Sequence, residues 1–559
     1  MPVMMTIKNF LTPSRFLIFI STFYLLFSIA YINRPGLQYD EMLFTNASFG
    51  NVDNSFIEAQ WQFGSVKIPV MLMTYIGAVK AYLYAPLFKL FSPSALIVRL
   101  PAILLGLVTL IFTYKLVFRL FGDKTAALTA LLLATDPSYI FSTRMDWGPV
   151  AFMMFFKMGS LYLFYEYSRT SRKTLLALGA LFLGLGLYDK TNFIWYCLAL
   201  PAALVPVWQN KWNRLLTSRA IYIFLFFFLL GCWPLLLYNF IARGQTFSGQ
   251  MQPFGNILQS IQFKLQVLAG TLSGTNPYSF FNAGDPIGSV FAGNSTGWLA
   301  DRMPHLLISL IDFRATLLPE VFAAALLVIC MLLFKRGLPK MRAAVFFCLI
   351  FVFILGLIFI SYRATGPHHV IMLYPFPHII IAYAVISLFE TNSKPGVGKY
   401  AAACISVLLI ISQVVVSAKY MQSFIRDGGK GWWSDAIYDL ADYTQENNGS
   451  KYMLMDWGFN SQLLLFSHGK INKEESVWLM LEEDKEIQAV EDLHQKILSG
   501  NDLIFVFHTP QYTMFNQPRH VFDLMLEKYQ LEAQTVSVFY QRDGTPVYLL
   551  KRVLLPSSP

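Results

Sequence analysis

The sequence predicts a mainly α-helical, polytopic transmembrane helix bundle of about eleven spans, followed by a C-terminal α/β domain outside the membrane. Three observations predict this fold class. First, 55% of the 559 residues are hydrophobic and only 14% are charged, whereas soluble proteins are about 45–50% apolar. Second, apolar runs of membrane-spanning length recur along most of the chain. Third, the final part changes to short strand-like runs separated by polar segments.

The predicted spans are apolar runs long enough to cross the hydrocarbon layer, for which a helix needs about 20 residues. We assign them to Phe16–Ile32, Leu100–Phe118, Thr125–Thr143, Pro149–Tyr165, Thr174–Tyr188, Thr191–Trp208, Ala220–Phe240, Leu318–Phe334, Ala343–Tyr362, Val370–Phe389 and Tyr400–Ala418. A further apolar stretch, Ile68–Phe88, is interpreted as a helix near the outer membrane interface. Counting it as a crossing would move Lys115, Arg119 and Lys124 to the outer side, against the bias of basic residues toward cytoplasmic loops.

Basic residues predict the orientation of the bundle. With the N-terminus in the cytoplasm, Lys and Arg dominate the predicted inner loops, where the acidic residues are Asp123, Glu166 and Glu390. An odd number of spans then places the C-terminal domain outside. Together with the few cysteines and short loops, this favours a multi-pass protein of the bacterial inner (plasma) membrane, in contact with membrane lipids, whose C-terminal domain is periplasmic. The endoplasmic reticulum, with this domain in the lumen, stays open as the alternative.

Charge and cysteine spacing exclude two other classes of protein. The formal charge is +10, but Lys and Arg cluster between apolar runs, which is typical of membrane topology and not of a nucleic-acid-binding surface. The five cysteines have neither CxxC nor CxxH spacing, which argues against a disulfide framework or a zinc site. No nucleic-acid partner is therefore expected.

The tail predicts a separate domain. We divide the chain into a transmembrane domain, residues 1–418, and a soluble α/β domain, residues 419–559. The strand-like runs of the tail are "KYMLMDWGF", "DLIFVFHTP", "TVSVFY" and "PVYLLKRV", and "VEDLHQKILSG" between them has a helical pattern. The 141 residues of this segment are enough for a core of their own.

Charged residues occupy four predicted outer loops. These are Asp40, Glu41 and Lys67; Arg144 and Asp146; Asp189 and Lys190; and Arg363, His368 and His369. Polar loop ends are common in any helical membrane protein, and that simpler explanation stays open for each residue alone. Taken together, carboxylates beside cations suggest a base for an acceptor hydroxyl or amine and a clamp for a phosphate leaving group.

The same segments carry a family resemblance. The strings "YDE", "RLPAILLG", "FRLFG", "STRMD", "LGLGLYDK" and "HHVIMLYPF" occur in this order between residues 39 and 376. In order and predicted sidedness, the chain resembles the polytopic GT-C glycosyltransferases, and in particular the protein O-mannosyltransferase and aminoarabinose (lipid A) transferase group. The resemblance implies a GT-C-type bundle, a polyprenyl-phosphate sugar donor and inversion by a single displacement. The acceptor, whether protein, lipid or glycan, is left open.

The resemblance also implies roles for individual residues. Asp40 becomes the general base, with Glu41 supporting it and Asp146 as the second active-site carboxylate. The residues expected to bind the substrate are Lys67, Arg144, Lys190, Arg363, His368 and His369. This chain departs from its relatives at Asp189, where they often have threonine, and a carboxylate there would partly neutralise Lys190. The segment after Phe389 is shorter than in the aminoarabinose branch, so the acceptor is not inherited from it.

No metal or other cofactor is required by this scheme. A divalent ion held by Asp40, Glu41 and Asp146 remains possible. The main alternative function is a transporter or flippase of lipid-linked sugars, for which polar residues repeated in two halves are expected but are not seen in the sequence. A receptor with an outer sensor domain is a third alternative.

Two ionisable residues fall inside predicted spans, where charged groups are usually paired or functional. We expect Asp136 and Lys157 to form an ion pair across the hairpin of the third and fourth spans. Two alternatives stay open: Lys157 extends to the membrane surface or the lipid donor, and Asp136, which precedes Pro137, caps the following helical turn.

Overall fold

The computed structural model describes residues 13–49, 57–207, 217–248, 257–281, 315–361, 366–391, 397–475, 477–481, 486–499 and 502–555. Up to residue 427, these ranges form a helical bundle with one small sheet. Its helices are α1 (Pro13–Ile29), α2 (Tyr39–Asn46), α3 (Val79–Leu90), α4 (Ala95–Phe121), α5 (Asp123–Thr135), α6 (Pro137–Arg144), α7 (Val150–Thr170), α8 (Lys173–Asp189), α9 (Ile194–Leu204), α10 (Ser218–Ile241), α11 (Gln245–Ser248), α12 (Ile257–Ser273), α13 (Thr275–Phe281), α14 (Leu318–Arg336), α15 (Leu338–Ile360), α16 (Pro367–Val370), α17 (Phe376–Thr391) and α18 (Val397–Asp427).

Each predicted span falls mainly on helix. Among the residues that the structure describes, six helical segments are long and apolar enough to cross a membrane: Ala95–Phe121, Ser218–Ile241, Leu318–Arg336, Leu338–Ile360, Pro367–Glu390 and Gly398–Asp427. The predicted third span is broken at Asp136, because Pro137 cannot continue the hydrogen bonding of α5 and instead begins α6. The count of about eleven spans and their sidedness stay predictions.

The interpretation of Ile68–Phe88 as one helix is wrong. Its first half belongs to an antiparallel sheet of β1 (Ala59–Phe63), β2 (Val66–Met73) and β3 (Ile76–Gly77), and only α3 is helical. A short apolar run does not distinguish a buried strand from a buried helix. The sheet reaches the end of α8, where Ile76 forms a bridge with Lys190. A Cβ on Gly77 would lie 2.3 Å from the Tyr188 carbonyl oxygen, so only glycine permits this approach.

The tail forms the expected α/β domain. Its helices and strands are α19 (Ala436–Glu446), β4 (Lys451–Leu454), α20 (Asn460–Phe466), β5 (Lys473–Glu475), α21 (Val477–Met480), α22 (Glu486–Leu498), β6 (Leu503–His508), α23 (Asn516–Tyr529), β7 (Glu532–Tyr540) and β8 (Pro546–Leu554). The sheet order is β5-β4-β6-β8-β7, with β4 parallel to β5 and β6, and β8 antiparallel to β6 and β7. Helix α18 continues past residue 418 to Asp427 before this domain begins.

The α/β domain packs directly on the loop before α2. The Gly36 amide donates to the Trp433 carbonyl at 2.8 Å, and Gln462 Nε2 donates to the Leu37 carbonyl at 3.2 Å. The Tyr39 and Trp457 rings lie 4.8 Å apart. The segment that carries Asp40 is therefore held between the helical bundle and the α/β domain.

Candidate active site

Helix α2 begins with a capping box that orients the acidic pair. The Gln38 side chain accepts from the Asp40 amide at 2.8 Å, and Glu41 Oε1 accepts from the Gln38 amide at 3.0 Å. Because neighbouring helical residues point in different directions, the cap sends the two carboxylates into different surroundings.

Glu41 is committed to an internal ion pair. Arg99 donates from Nε to Glu41 Oε2 at 2.8 Å and from Nη2 to Oε1 at 2.7 Å, and both side chains are buried. The remaining Arg99 donors bind the carbonyls of Ile32, Pro35 and Gly36. Glu41 therefore anchors the loop that precedes Asp40, and both of its oxygens are occupied.

Asp40 has the opposite environment. Its side chain is partly exposed, and it forms no hydrogen bond or ion pair with any residue that the structure describes. Burial of the surrounding site raises the pKa of the Asp40 carboxyl to about 6, while the charges of Lys190 and Lys80 act in the lowering direction and that of Glu41 in the raising direction. An open carboxylate with a raised pKa is suited to accept a proton near neutral pH.

Asp146 is held rigidly by a lysine that the sequence analysis did not single out. Lys80 Nζ donates to Asp146 Oδ2 at 2.8 Å and to the Asp146 carbonyl at 3.1 Å, and both side chains are buried. Asp146 Oδ1 accepts from the Ala151 amide at 2.7 Å, which caps the start of α7. The signal for Lys80 was present in the sequence as a single cation inside an apolar stretch.

Lys190 and Asp189 complete the charged cluster at the end of α8. Lys190 Nζ donates to the Gly148 carbonyl at 2.8 Å. Burial lowers the pKa of Lys190 to about 8, and the charges of Asp189, Asp146 and Asp40 act in the raising direction. Both oxygens of the buried Asp189 carboxylate have no hydrogen-bond partner among the described atoms. We call Asp40, Lys80, Asp146, Asp189 and Lys190 the outer cluster.

One histidine adjoins the outer cluster. A Cβ on Gly148 would lie 3.4 Å from Lys190 Nζ and 3.9 Å from His368 Cδ2, so the His368 ring borders the same space. His369 turns elsewhere, since its Nδ1 accepts from the Gly366 amide at 3.2 Å and its ring packs 6.1 Å from that of Trp195.

Two of the predicted substrate-binding residues lie apart from this cluster, and a third is not described. Arg144 is fully buried and donates from Nη2 to the carbonyls of Tyr31 at 2.7 Å and Arg34 at 2.6 Å, so its phosphate-binding role stays a prediction that these contacts do not support. Lys67 lies beside the β1–β2 turn. The other end of β2 pairs with β3, and β3 is the strand that contacts Lys190. Arg363 lies outside the described residues.

The predicted ion pair between Asp136 and Lys157 is also wrong. Lys157 Nζ donates to the carbonyls of Met372 and Tyr374, where the helical path is interrupted before α17. Asp136 caps α6 through the Tyr139 amide at 2.9 Å, as the alternative interpretation expected, and binds His378 Nε2 at 3.1 Å. The two residues satisfy separate breaks in the bundle because each break exposes backbone groups that need partners.

The carboxylates do not form a ligand set for a metal ion. In the described ranges, no three His, Cys, Asp or Glu side chains are grouped to hold one. Glu41 and Asp146 are instead taken up by Arg99 and Lys80.

The fold and the outer cluster define a polytopic helical membrane protein with an attached α/β domain and a charged site at the helix ends. Residues 77–238 match the family described as dolichyl-phosphate-mannose-protein mannosyltransferase. No curated protein sequence gives a significant match.

Solved structures extend the similarity to nearly the whole chain. ArnT from Cupriavidus metallidurans in the apo state has a TM-score of 0.57 at 12% identity, covering 96% of this chain and 98% of that one. The same protein bound to undecaprenyl phosphate gives a TM-score of 0.55 at 13% identity, covering 95% and 97%. The Archaeoglobus fulgidus oligosaccharyltransferase complex with Zn and sulfate gives a TM-score of 0.55 at 12% identity, covering 95% of this chain and 72% of that one. In fold the chain is similar to these solved structures, and over residues 77–238 its sequence matches the mannosyltransferase family model, which confirms the predicted resemblance to the GT-C glycosyltransferases.

Proposed function

We propose that the chain is an integral membrane glycosyltransferase that moves a sugar from a polyprenyl-phosphate donor to an acceptor on the extracytoplasmic face. The observation that carries this proposal is the contrast within the acidic pair. Both oxygens of Glu41 are bound by Arg99, whereas the Asp40 carboxylate is open and lies near Lys80 and Lys190. A base next to buried cations is what displacement of a phosphate by a hydroxyl or amine needs.

The donor class is supported by the charges of the site and by one relative. Lys190 projects into the space bordered by Gly148 and His368, and its ammonium group can neutralise a phosphate. Among the structures of similar fold, ArnT from Cupriavidus metallidurans has been solved with undecaprenyl phosphate bound. We therefore propose a polyprenyl phosphate as the leaving group. The proposed location of the protein is the bacterial inner membrane.

The proposed reaction is one inverting displacement. The acceptor oxygen or nitrogen forms a bond to the anomeric carbon while the bond from that carbon to the phosphate oxygen breaks. Asp40 takes the acceptor proton, and the electron pair of the broken bond leaves with the lipid phosphate, next to Lys190. The protein contributes mostly position and charge, since a phosphate is already a reasonable leaving group.

The test is the substitution Asp40→Asn in purified protein supplied with polyprenyl-phosphate hexoses and pentoses. Transfer to acceptor, or slow hydrolysis of the donor, should fall about 10²–10⁴-fold because the general base is lost. The matched control is Asp123→Asn, an exposed carboxylate at the start of α5, which should keep wild-type activity. Full activity in Asp40→Asn would remove Asp40 from the mechanism, and movement of intact donor across the membrane without cleavage would indicate a flippase.

A further inference from the structure

Lys80 links Asp146 to the other carboxylates of the outer cluster. It lies on α3, it is 1% exposed, and it donates to both the side chain and the carbonyl of Asp146. Its charge also acts on Asp40 and Asp189. Burial of an ammonium group is costly unless it is paired, so a lysine at this position requires the carboxylates around it.

We propose that Lys80 is a positioning residue of the active site, which fixes Asp146 and supplies the positive charge that keeps Asp40 ionised for proton transfer. This inference rests on the proposed function, because it assigns Lys80 a role through the Asp40 base.

The geometry supports the positioning part of this role. Asp146 is fixed at both oxygens, by Lys80 on Oδ2 and by the Ala151 amide on Oδ1. A buried carboxylate held at both ends has one orientation, so Asp146 presents a constant charge to the site. The Lys80 bond to the Asp146 carbonyl fixes the turn between α6 and α7 as well.

The electrostatic part concerns Asp40. The charged groups that act on its carboxylate are Lys80 from α3, Lys190 after α8 and Glu41 from its own helix. Glu41 is already neutralised by Arg99, so the two lysines oppose the desolvation that raises the pKa of Asp40 to about 6. Without Lys80, this pKa should rise further, and Asp40 should be protonated over more of the neutral range.

The experiment compares the pH dependence of kcat/KM in Lys80→Met and Lys80→Arg. In Lys80→Met, the decline of activity at acid pH should move upward by about one pH unit, the lower end of the effect of a nearby opposite charge. Its loss of activity should then be about fivefold greater at pH 6 than at pH 8. Lys80→Arg keeps the charge and should keep the decline near pH 6.

A second variant protects the test if Lys80→Met does not fold. Asp146→Asn removes the negative partner of Lys80, so the full charge of Lys80 acts on Asp40 and the acid decline should move to lower pH. Opposite shifts in the two variants are not expected from a structural role. If both variants lower activity equally at every pH, the inference about Lys80 is overturned. Asp40→Asn, measured in parallel, separates this result from a failure of the proposed function, since only the latter predicts an active Asp40→Asn protein.

Discussion

Two polar clusters of this protein each contain an aspartate next to a helix end. They differ in whether hydrogen-bond donors enclose that aspartate. The first, which we call the inner cluster, consists of Asp136, Tyr139, Tyr374, His378 and Gln413. Asp136 accepts from the Tyr139 amide at 2.9 Å, from His378 Nε2 at 3.1 Å and from Gln413 Nε2 at 3.2 Å. In the outer cluster, Asp40 has neighbouring cations but no hydrogen bond to a described residue.

The difference distinguishes a carboxylate that is enclosed by hydrogen-bond donors from one that is left open. Asp136 is completely buried, and several donors satisfy it, so no room is left for a ligand. Asp40 is held in place by its backbone cap while its side chain stays open. Lysines around an open carboxylate stabilise charge at a distance, which is what a reacting group requires.

The largest effect on stability is expected in the inner cluster. Asp136→Ala removes the cap of α6 and leaves the His378 and Gln413 donors without their acceptor, so the free energy of unfolding should fall by about 1–3 kcal/mol. Thermal unfolding in detergent measures this loss, and activity per folded molecule should be retained. The control is Ser94→Ala, which removes only a helix cap, at the start of α4, and should cost about 1 kcal/mol. Equal losses in the two variants would contradict a role for Asp136 beyond capping.

The next prediction concerns the pH dependence of activity and tests the environment of Asp40. The proposed base Asp40 must be ionised to accept a proton, and its pKa is raised to about 6. The value of kcat/KM, which reports the free enzyme, should therefore be constant above this pH and fall about tenfold per unit below it. An acid decline near pH 4, the ordinary range of a carboxyl group, would mean that Asp40 is not desolvated as the structure indicates.

The smallest effect is expected at Lys67, which tests the extent of the outer cluster. Lys67→Ala should change transfer by less than about twofold, because this half-buried strand residue has no ion pair within the described part of the chain. Lys190→Ala is the matched comparison, and it should lower transfer about 10²-fold through loss of charge stabilisation. Similar losses at both positions would bring the β1–β2 hairpin into the substrate site.

Much of the architecture was predictable from local pattern. Apolar runs identified the helical segments, and strand-like runs identified four of the five strands of the C-terminal sheet. The short strand Lys473–Glu475 was missed because three charged residues give no apolar alternation. The stretch around Val70 was misread as helix, because its strand is apolar on both faces, and such runs lack a period of two.

The sequence by itself determined that this is a helical membrane protein with an α/β tail, and that Asp40, Asp146 and Lys190 lie near the ends of helices. Those conclusions depend on the hydropathy and spacing of nearby residues, and both can be read from a single sequence. Only the tertiary structure decided which charged groups are open. Glu41 meets Arg99 across 58 positions and Asp146 meets Lys80 across 66. The role of a charged side chain depends on which partner tertiary packing brings within about 3 Å. Of the two neighbouring carboxylates, Glu41 is therefore an anchor and Asp40 is a candidate base.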